Sequence, residues 1–266
     1  MIIFGYAAAI GIGLVLGLIG GGGSILTVPV LVYLFGIPPV LATAYSLFIV
    51  GLTSLIGAFT YIYKREINYK TGAIFAIPSL IAVYLTRKFF VPVIPEQVIT
   101  LNSFAISKDM AIMLLFAFIM LWASFSMIHA AKKDKSHSSI RRFNNPLIML
   151  EGSVIGFLTG LVGAGGGFLI IPALVLLARL PMKIAVGTSL MIIAAKSLIG
   201  FIGDVEAGQN IDWTFLLIFS IIAIKGILLG SYFSKFISGE KLKPIFGWFV
   251  LIMGIYIIGR ELLISI

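Results

Sequence analysis

Gly17-Leu-Ile-Gly-Gly-Gly-Gly-Ser-Ile-Leu-Thr-Val-Pro29 returns 143 residues later as Gly160-Leu-Val-Gly-Ala-Gly-Gly-Gly-Phe-Leu-Ile-Ile-Pro172. The copies align without a gap from Gly13/Gly156 to Gly57/Gly200. About 20 of these 45 positions are identical, among them Pro38/Pro181, Ala42/Ala185, Ser46/Ser189 and Ser54/Ser197. Contiguous glycines cost a helix about 1 kcal/mol each, so each copy reads as an apolar stretch broken by a loop. Paired, Gly-interrupted apolar segments in two halves of a chain point to a binding site of the kind found in membrane transporters.

The rest of the chain reads as bilayer-embedded. Its 266 residues are 60% hydrophobic and 11% charged, with a mean hydropathy of +1.16, whereas soluble domains carry roughly 25% charged residues. Apolar segments recur at 4–35, 40–63, 70–86, 109–131, 147–178, 182–203, 213–234 and 243–263. The expected fold class is an all-α polytopic membrane protein. It has two inverted-topology repeats, each a glycine-broken helical hairpin plus about three transmembrane helices. The repeats are residues 1–131 and 147–266, joined by a basic cytoplasmic linker, 132–146. Met1-Ile-Ile-Phe-Gly-Tyr6 lacks a basic n-region, so it reads as structure and not as a leader.

Several function classes are excluded. The chain has no cysteine, which removes disulfides, thiol catalysis and Cys-ligated metals. No His/Glu/Asp cluster with ligand or acid–base spacing lies in the spans, and His129 and His137 border or occupy the linker. No metal, cofactor or enzymatic activity is expected. The net charge of +9 arises in short loops, where positive-inside topology explains it without nucleic acid. Trp122, Trp213 and the Tyr61, Tyr63, Tyr69 group fit interfacial anchors.

The first segment of each half is about 32 residues long, too long for one span of about 20 and short for two. Either the glycines join two half-helices in a re-entrant hairpin, or both pieces cross as short helices. Buried non-helical backbone is tolerated at depth only where protein or a water-filled cavity satisfies it. Loop charge relates the halves. Lys64-Arg-Glu-Ile-Asn-Tyr-Lys70 is basic, whereas its counterpart carries Asp204, Glu206 and Asp212 and no Lys or Arg. Placing 64–70, 132–146, 179–183 and 235–243 inside gathers 13 of the 19 basic residues. Arg87, Lys88, Lys108 and Arg260 then fall outside, and Lys196 and Lys225 lie within spans. Both termini face out, with three or five crossings per repeat.

The doubled Gly-Leu-(Ile/Val)-Gly-(Gly/Ala)-Gly-Gly-x-x-Leu-x-x-Pro pattern is followed each time by Ala-x-x-x-Ser-Leu. Together they resemble the sulfite exporter TauE/SafE family, as does Ile77-Pro-Ser-Leu to Val91-Pro-Val-Ile-Pro95. The resemblance covers nearly the whole chain and implies a permease for sulfur-containing anions such as sulfite or organosulfonates. Relatives that handle thiosulfate with membrane cysteines offer no parallel, because this chain has none.

The residue types fit an anion. A half-helix beginning after Gly20, Gly21, Gly22 and Gly23, or after Gly163, Gly165, Gly166 and Gly167, presents free N–H groups and the positive end of its dipole. Close helix packing is the alternative use of such glycines. Ser24 adds a hydroxyl as cap or ligand. The matched Ser46 and Ser189 can donate to an oxyanion or bond back to their own helices, as can Tyr45, Thr43 and Thr188 nearby. Lys196 at membrane depth costs roughly 2.5–3.5 kcal/mol, so it is read as countering the anion directly or alternating with Asp204. Lys225, about ten residues before Lys235, either serves the site or snorkels to the inner face. Glu151 and Asp204 are candidates for coupling or ion pairing.

The expected activity is secondary transport in the export direction: moving an anion out of a negative interior is downhill by about 2.3 kcal/mol per charge per 100 mV. Import needs H⁺ or Na⁺. No Gly-x-x-x-x-Gly-Lys-Ser/Thr motif offers direct ATP drive. The expected partners are a small anionic substrate and the lipid bilayer, in a prokaryotic inner or plasma membrane, with no nucleic acid. The alternatives are an anion channel of the same architecture, a permease for an unrelated small organic anion, a membrane enzyme and a structural scaffold.

Overall fold

The computed structural model describes residues 2–101, 104–133, 145–176, 178, 180–234 and 239–264. Among the described residues, ten helices of ten residues or more form two sets of five: α1 (Ile2–Ile19), α2 (Ser24–Phe35), α3 (Pro39–Tyr63), α4 (Tyr69–Leu85) and α5 (Lys108–Lys133), then α6 (Asn145–Val162), α7 (Gly167–Leu176), α8 (Met182–Glu206), α9 (Trp213–Phe233) and α10 (Gly239–Ile264). The chain is an all-α polytopic membrane protein. Most of the expected linker, residues 134–144, lies outside the described residues.

Local chemistry sets the boundaries. α1 stops where Gly20 and Gly21 take φ of 76° and 144°, and α6 stops before Gly163, Gly165 and Gly166 at 70°, 62° and 64°. Side chains rarely adopt these angles. α2 closes at Gly36 (φ 67°), with the Gly36 and Ile37 amides donating to Val32 and Leu31, a glycine-terminated Schellman turn. Pro38 and Pro181 then precede the first turns of α3 and α8. Rising 1.5 Å per residue, the 12-residue α2 spans about 18 Å and the 10-residue α7 about 15 Å. The hydrocarbon core is about 30 Å thick. Neither half-helix reaches across it, and the lengths favour the hairpin arrangement.

Two features depart from the sequence expectation. α4 does not stop at residue 86: it continues through a π-helical turn, Thr86–Phe90, and one further turn, Val91–Val93. A short antiparallel hairpin follows, β1 (Gln97–Leu101) with β2 (Phe104–Ser107). Pro95 cannot prolong the helix, and Val98-Ile99-Thr100 is a β-branched run that suits a strand.

Packing partners exchange when each helix is swapped for the one five later. α1 packs on α9 as α6 packs on α4, α3 on α9 as α8 on α4, while α3–α8 and α5–α10 map onto themselves. Each first helix therefore packs chiefly on the fourth helix of the other half. Small residues allow this close approach. A Cβ at Gly13 would lie 1.9 Å from the Ala223 carbonyl oxygen, and one at Gly230 2.2 Å from that of Leu14. Gly152 and Gly156 similarly abut the backbone at Phe75 and Ser79. This is small-xxx-small helix packing. Trp213, half exposed, meets Phe48 and Phe201 edge-on. Trp122, Tyr63 and Tyr69 are exposed, but Tyr61 is buried because Gly187 lets its ring approach.

Candidate anion site at the paired glycine loops

The two glycine loops meet at the crossing of α3 and α8. A Cβ on Gly21 would lie 2.7 Å from the Gly167 Cα, and one on Gly167 2.4 Å from the Gly21 Cα. Only glycine permits this backbone-to-backbone contact. Each loop also rests on the crossing helix of the other half, Gly20 on Val186 and Gly163 on Thr43.

Hydroxyls close the loops. Ser24 Oγ donates to the Gly21 carbonyl at 2.7 Å and Ser189 Oγ to the Gly20 carbonyl at 2.5 Å. Thr188 Oγ1 accepts from the Asn68 amide at 2.9 Å, and Tyr45 Oη accepts from the Asp212 amide at 2.6 Å. Ser46, Ser54 and Ser197 are buried with no hydrogen-bond partner among the described residues. Ser46, Val50 and Ser54 share one face of α3, and Ser189, Ile193 and Ser197 one face of α8. A Cβ at Gly165 would meet Val50 at 2.6 Å and Ile193 at 3.5 Å, so both faces are turned to the loops.

The loops differ in their free donors. In the first, the Ser24, Ile25 and Leu26 amides fold back onto Gly21, Gly22 and Gly23 carbonyls at 3.1–3.3 Å. In the second, Leu169 and Ile170 both turn onto Gly166, at 3.0 Å. Among the described residues, no such bond takes up the Gly165, Gly166 or Gly167 amides, nor the Gly21, Gly22 or Gly23 amides of the first loop; the difference lies at Gly167, whose first-loop counterpart Ser24 is bonded.

Charge follows the same asymmetry. Lys196 is fully buried on α8; its Nζ donates to Thr159 Oγ1 at 3.1 Å and would lie 2.6 Å from a Cβ at Gly166. Among the described residues it has no carboxylate partner. At the other end of the loop, Arg87 is also fully buried, donating from Nη1 to Thr43 Oγ1 at 3.0 Å and to Asp204 Oδ1 at 3.3 Å. Thr43 is the residue on which Gly163 packs. The corresponding positions around the first loop are Thr53, Ser231 and Tyr61, none of them charged.

The sequence matches the sulfite exporter TauE/SafE family over residues 5–257. This chain belongs to that family. A probable membrane transporter protein of Xylella fastidiosa (strain Temecula1) is 28% identical over 94% of this chain and 92% of its own length. The probable membrane transporter protein MJ0441 of Methanocaldococcus jannaschii is 30% identical over 93% of each chain. Bacillus subtilis YunE, also named a probable membrane transporter protein, is 31% identical over 75% of this chain and 76% of its own. No solved structure matches. Family and relatives support a membrane transporter.

In this TauE/SafE protein the fold thus brings Gly20–Gly23, Ser24, Ser189, Gly163, Gly165–Gly167 and Lys196 to one place, with Ser46 on the facing surface of α3. Asp204 pairs with Arg87 rather than with Lys196. Lys225 is exposed on α9, and Glu151 is half-buried near the start of α6; neither has a bond to the loops among those described. The sequence places Arg87 outside the membrane because it adjoins Lys88 after residue 86, where two charges resemble the end of a span. The usable signal was the apolar run Phe89-Phe90-Val91-Pro92-Val93-Ile94 that follows.

Proposed function

We propose that this chain is a secondary transporter that exports small sulfur-containing anions, such as sulfite or organosulfonates, by alternating access around the two glycine loops. The observation that carries this reading is Lys196: a buried amine set against Gly166, bonded to one threonine hydroxyl and to no carboxylate among the described residues. A lone buried cation is costly unless something compensates it. An anion held between Lys196 and the amides of the second loop supplies that compensation, with Ser46 and Ser197 within the same facing surfaces as further donors.

The exchange of packing partners between the halves supports two repeats related by a two-fold axis; the opposite charge of their matching loops supports an inverted arrangement in a prokaryotic inner or plasma membrane, with residues 132–146 in the cytoplasm. Because α1 packs on α9 and α6 on α4, the units that rock are α1, α2, α3 and α9 against α6, α7, α8 and α4, with the glycine loops on the seam. The membrane potential drives anion export without a coupling ion.

The experiment is flux of sulfite and sulfoacetate in proteoliposomes, alongside Lys196→Gln and Gly166→Leu. Both substitutions should abolish saturable, counter-substrate-sensitive flux in correctly inserted protein. Retained flux in both would remove the site from this place, and flux of neither anion by the unmodified chain would remove the substrate class.

A further inference from the structure

We propose that the Nε–Nη2 edge of Arg87 is a second oxyanion-binding position, a station next to the Lys196 site that selects ligands with two oxygens on one centre. It deepens the reading of an anion transporter but does not depend on the anion containing sulfur.

Arg87 is buried to the last atom, yet only its Nη1 has acceptors. Nε and Nη2 have no partner among the described residues, and neither has Asp204 Oδ2. A guanidinium whose task is to pair with a carboxylate meets it fork to fork, through two parallel donors. Here the pair touches end-on through one nitrogen at 3.3 Å, so the two-donor edge is not spent on Asp204. Thr43 and Asp204 hold Nη1, and Gly203 allows the approach, since a Cβ there would lie 3.0 Å from the Arg87 Cβ. The π-helical turn places Arg87 in this position, as such turns often do at functional sites. Nε–H and Nη2–H point the same way with a spacing that fits two oxygens of a sulfonate, sulfite or carboxylate, whereas a halide takes no advantage of it. Thr43, bonded to Nη1, links Arg87 to Gly163 as Lys196 is linked to Gly166. Two cations therefore bracket one loop, and an anion leaving the first finds the second.

The test is thermal stabilisation of the purified full chain by sulfite, sulfoacetate, formate and chloride, with Arg87→Lys, Asp204→Asn and the neutral double variant Arg87→Gln/Asp204→Asn. Arg87→Lys keeps the charge and a partner for Asp204, so a purely structural pair would leave anion responses at wild-type strength. The expected result is an apparent Kd for the oxyanions weakened about tenfold or more, with the chloride response unchanged. Asp204→Asn should tighten oxyanion binding, and the double variant should lose the preference over chloride. Wild-type oxyanion responses in Arg87→Lys, or no oxyanion preference in the unmodified chain, would overturn the proposal. Formate binding that depends on Arg87 while the sulfur anions do nothing would uphold it and reject the sulfur substrates. Loss of response in Lys196→Gln alone, with both Arg87 variants unaffected, would reject it and leave the glycine-loop site standing.

Discussion

The Ser189 hydroxyl donates to the Gly20 carbonyl oxygen at 2.5 Å, tying the crossing helix of the second half to the glycine loop of the first. Its counterpart Ser46, at the matching position of α3, is equally buried but has no partner among the described residues. Two serines that the repeat makes equivalent have thus taken different tasks. Removing Ser189 leaves a buried carbonyl without its donor, a loss of about 1–3 kcal/mol. Removing the unpartnered, buried Ser46 hydroxyl relieves a desolvation cost and should leave stability unchanged or raised. Ser189→Ala should therefore melt lower than Ser46→Ala in detergent, while Ser46→Ala should weaken anion binding. The reverse order of melting would mean that the loop is not held by Ser189.

Lys196 should show stability and function pulling in opposite directions. The Lys196 amine is fully buried and bonded to Thr159 alone among the described residues. Exchanging it for a neutral residue of similar length removes a desolvation cost. Lys196→Met should accordingly melt above the unmodified chain without ligand, yet show no stabilisation when sulfite or sulfoacetate is added. A variant that melts lower and still responds to the anions would show Lys196 to be a structural residue.

The hairpins and Lys196 were legible in the sequence because their causes are local: contiguous glycines cannot continue a helix, and a lysine in the middle of an apolar segment stands out. Arg87 was not. Its burial depends on Thr43 and Asp204, 44 and 117 residues away, and on a π-helical turn with no sequence signature. The division of labour between Ser46 and Ser189 was equally hidden, since identical residues at matching positions give no hint of which loop carbonyl lies within reach. The glycines of α1 show the same limit: Gly11 and Gly13 look alike in sequence, and only the placement of α9 separates them.

That contrast can be measured. No heavy atom lies within 4 Å of a Cβ at Gly11, whereas one at Gly13 would sit 1.9 Å from the Ala223 carbonyl oxygen. Gly11→Ala should be neutral or stabilising by up to about 1 kcal/mol, because alanine is the better helix former. Gly13→Ala must push α1 off α9, at a cost of about 1–3 kcal/mol or more. Equal melting temperatures for the two variants would place the α1–α9 contact elsewhere.

The orientation of the halves is open to direct labelling, since the chain contains no cysteine and any single introduced one is unambiguous. Lys64, in the basic loop after α3, and Asn210, in the acidic loop after α8, are both exposed and lie close to corresponding positions of the repeat. With an inverted arrangement and positive residues inside, Asn210→Cys should react with a membrane-impermeant maleimide on intact cells, and Lys64→Cys only after permeabilisation. Reaction of both from the same side would make the repeats parallel. The exchange of partners between α1–α9 and α6–α4 would then require an axis along the membrane normal, and both glycine loops would open toward one face, leaving no basis for alternating access between them.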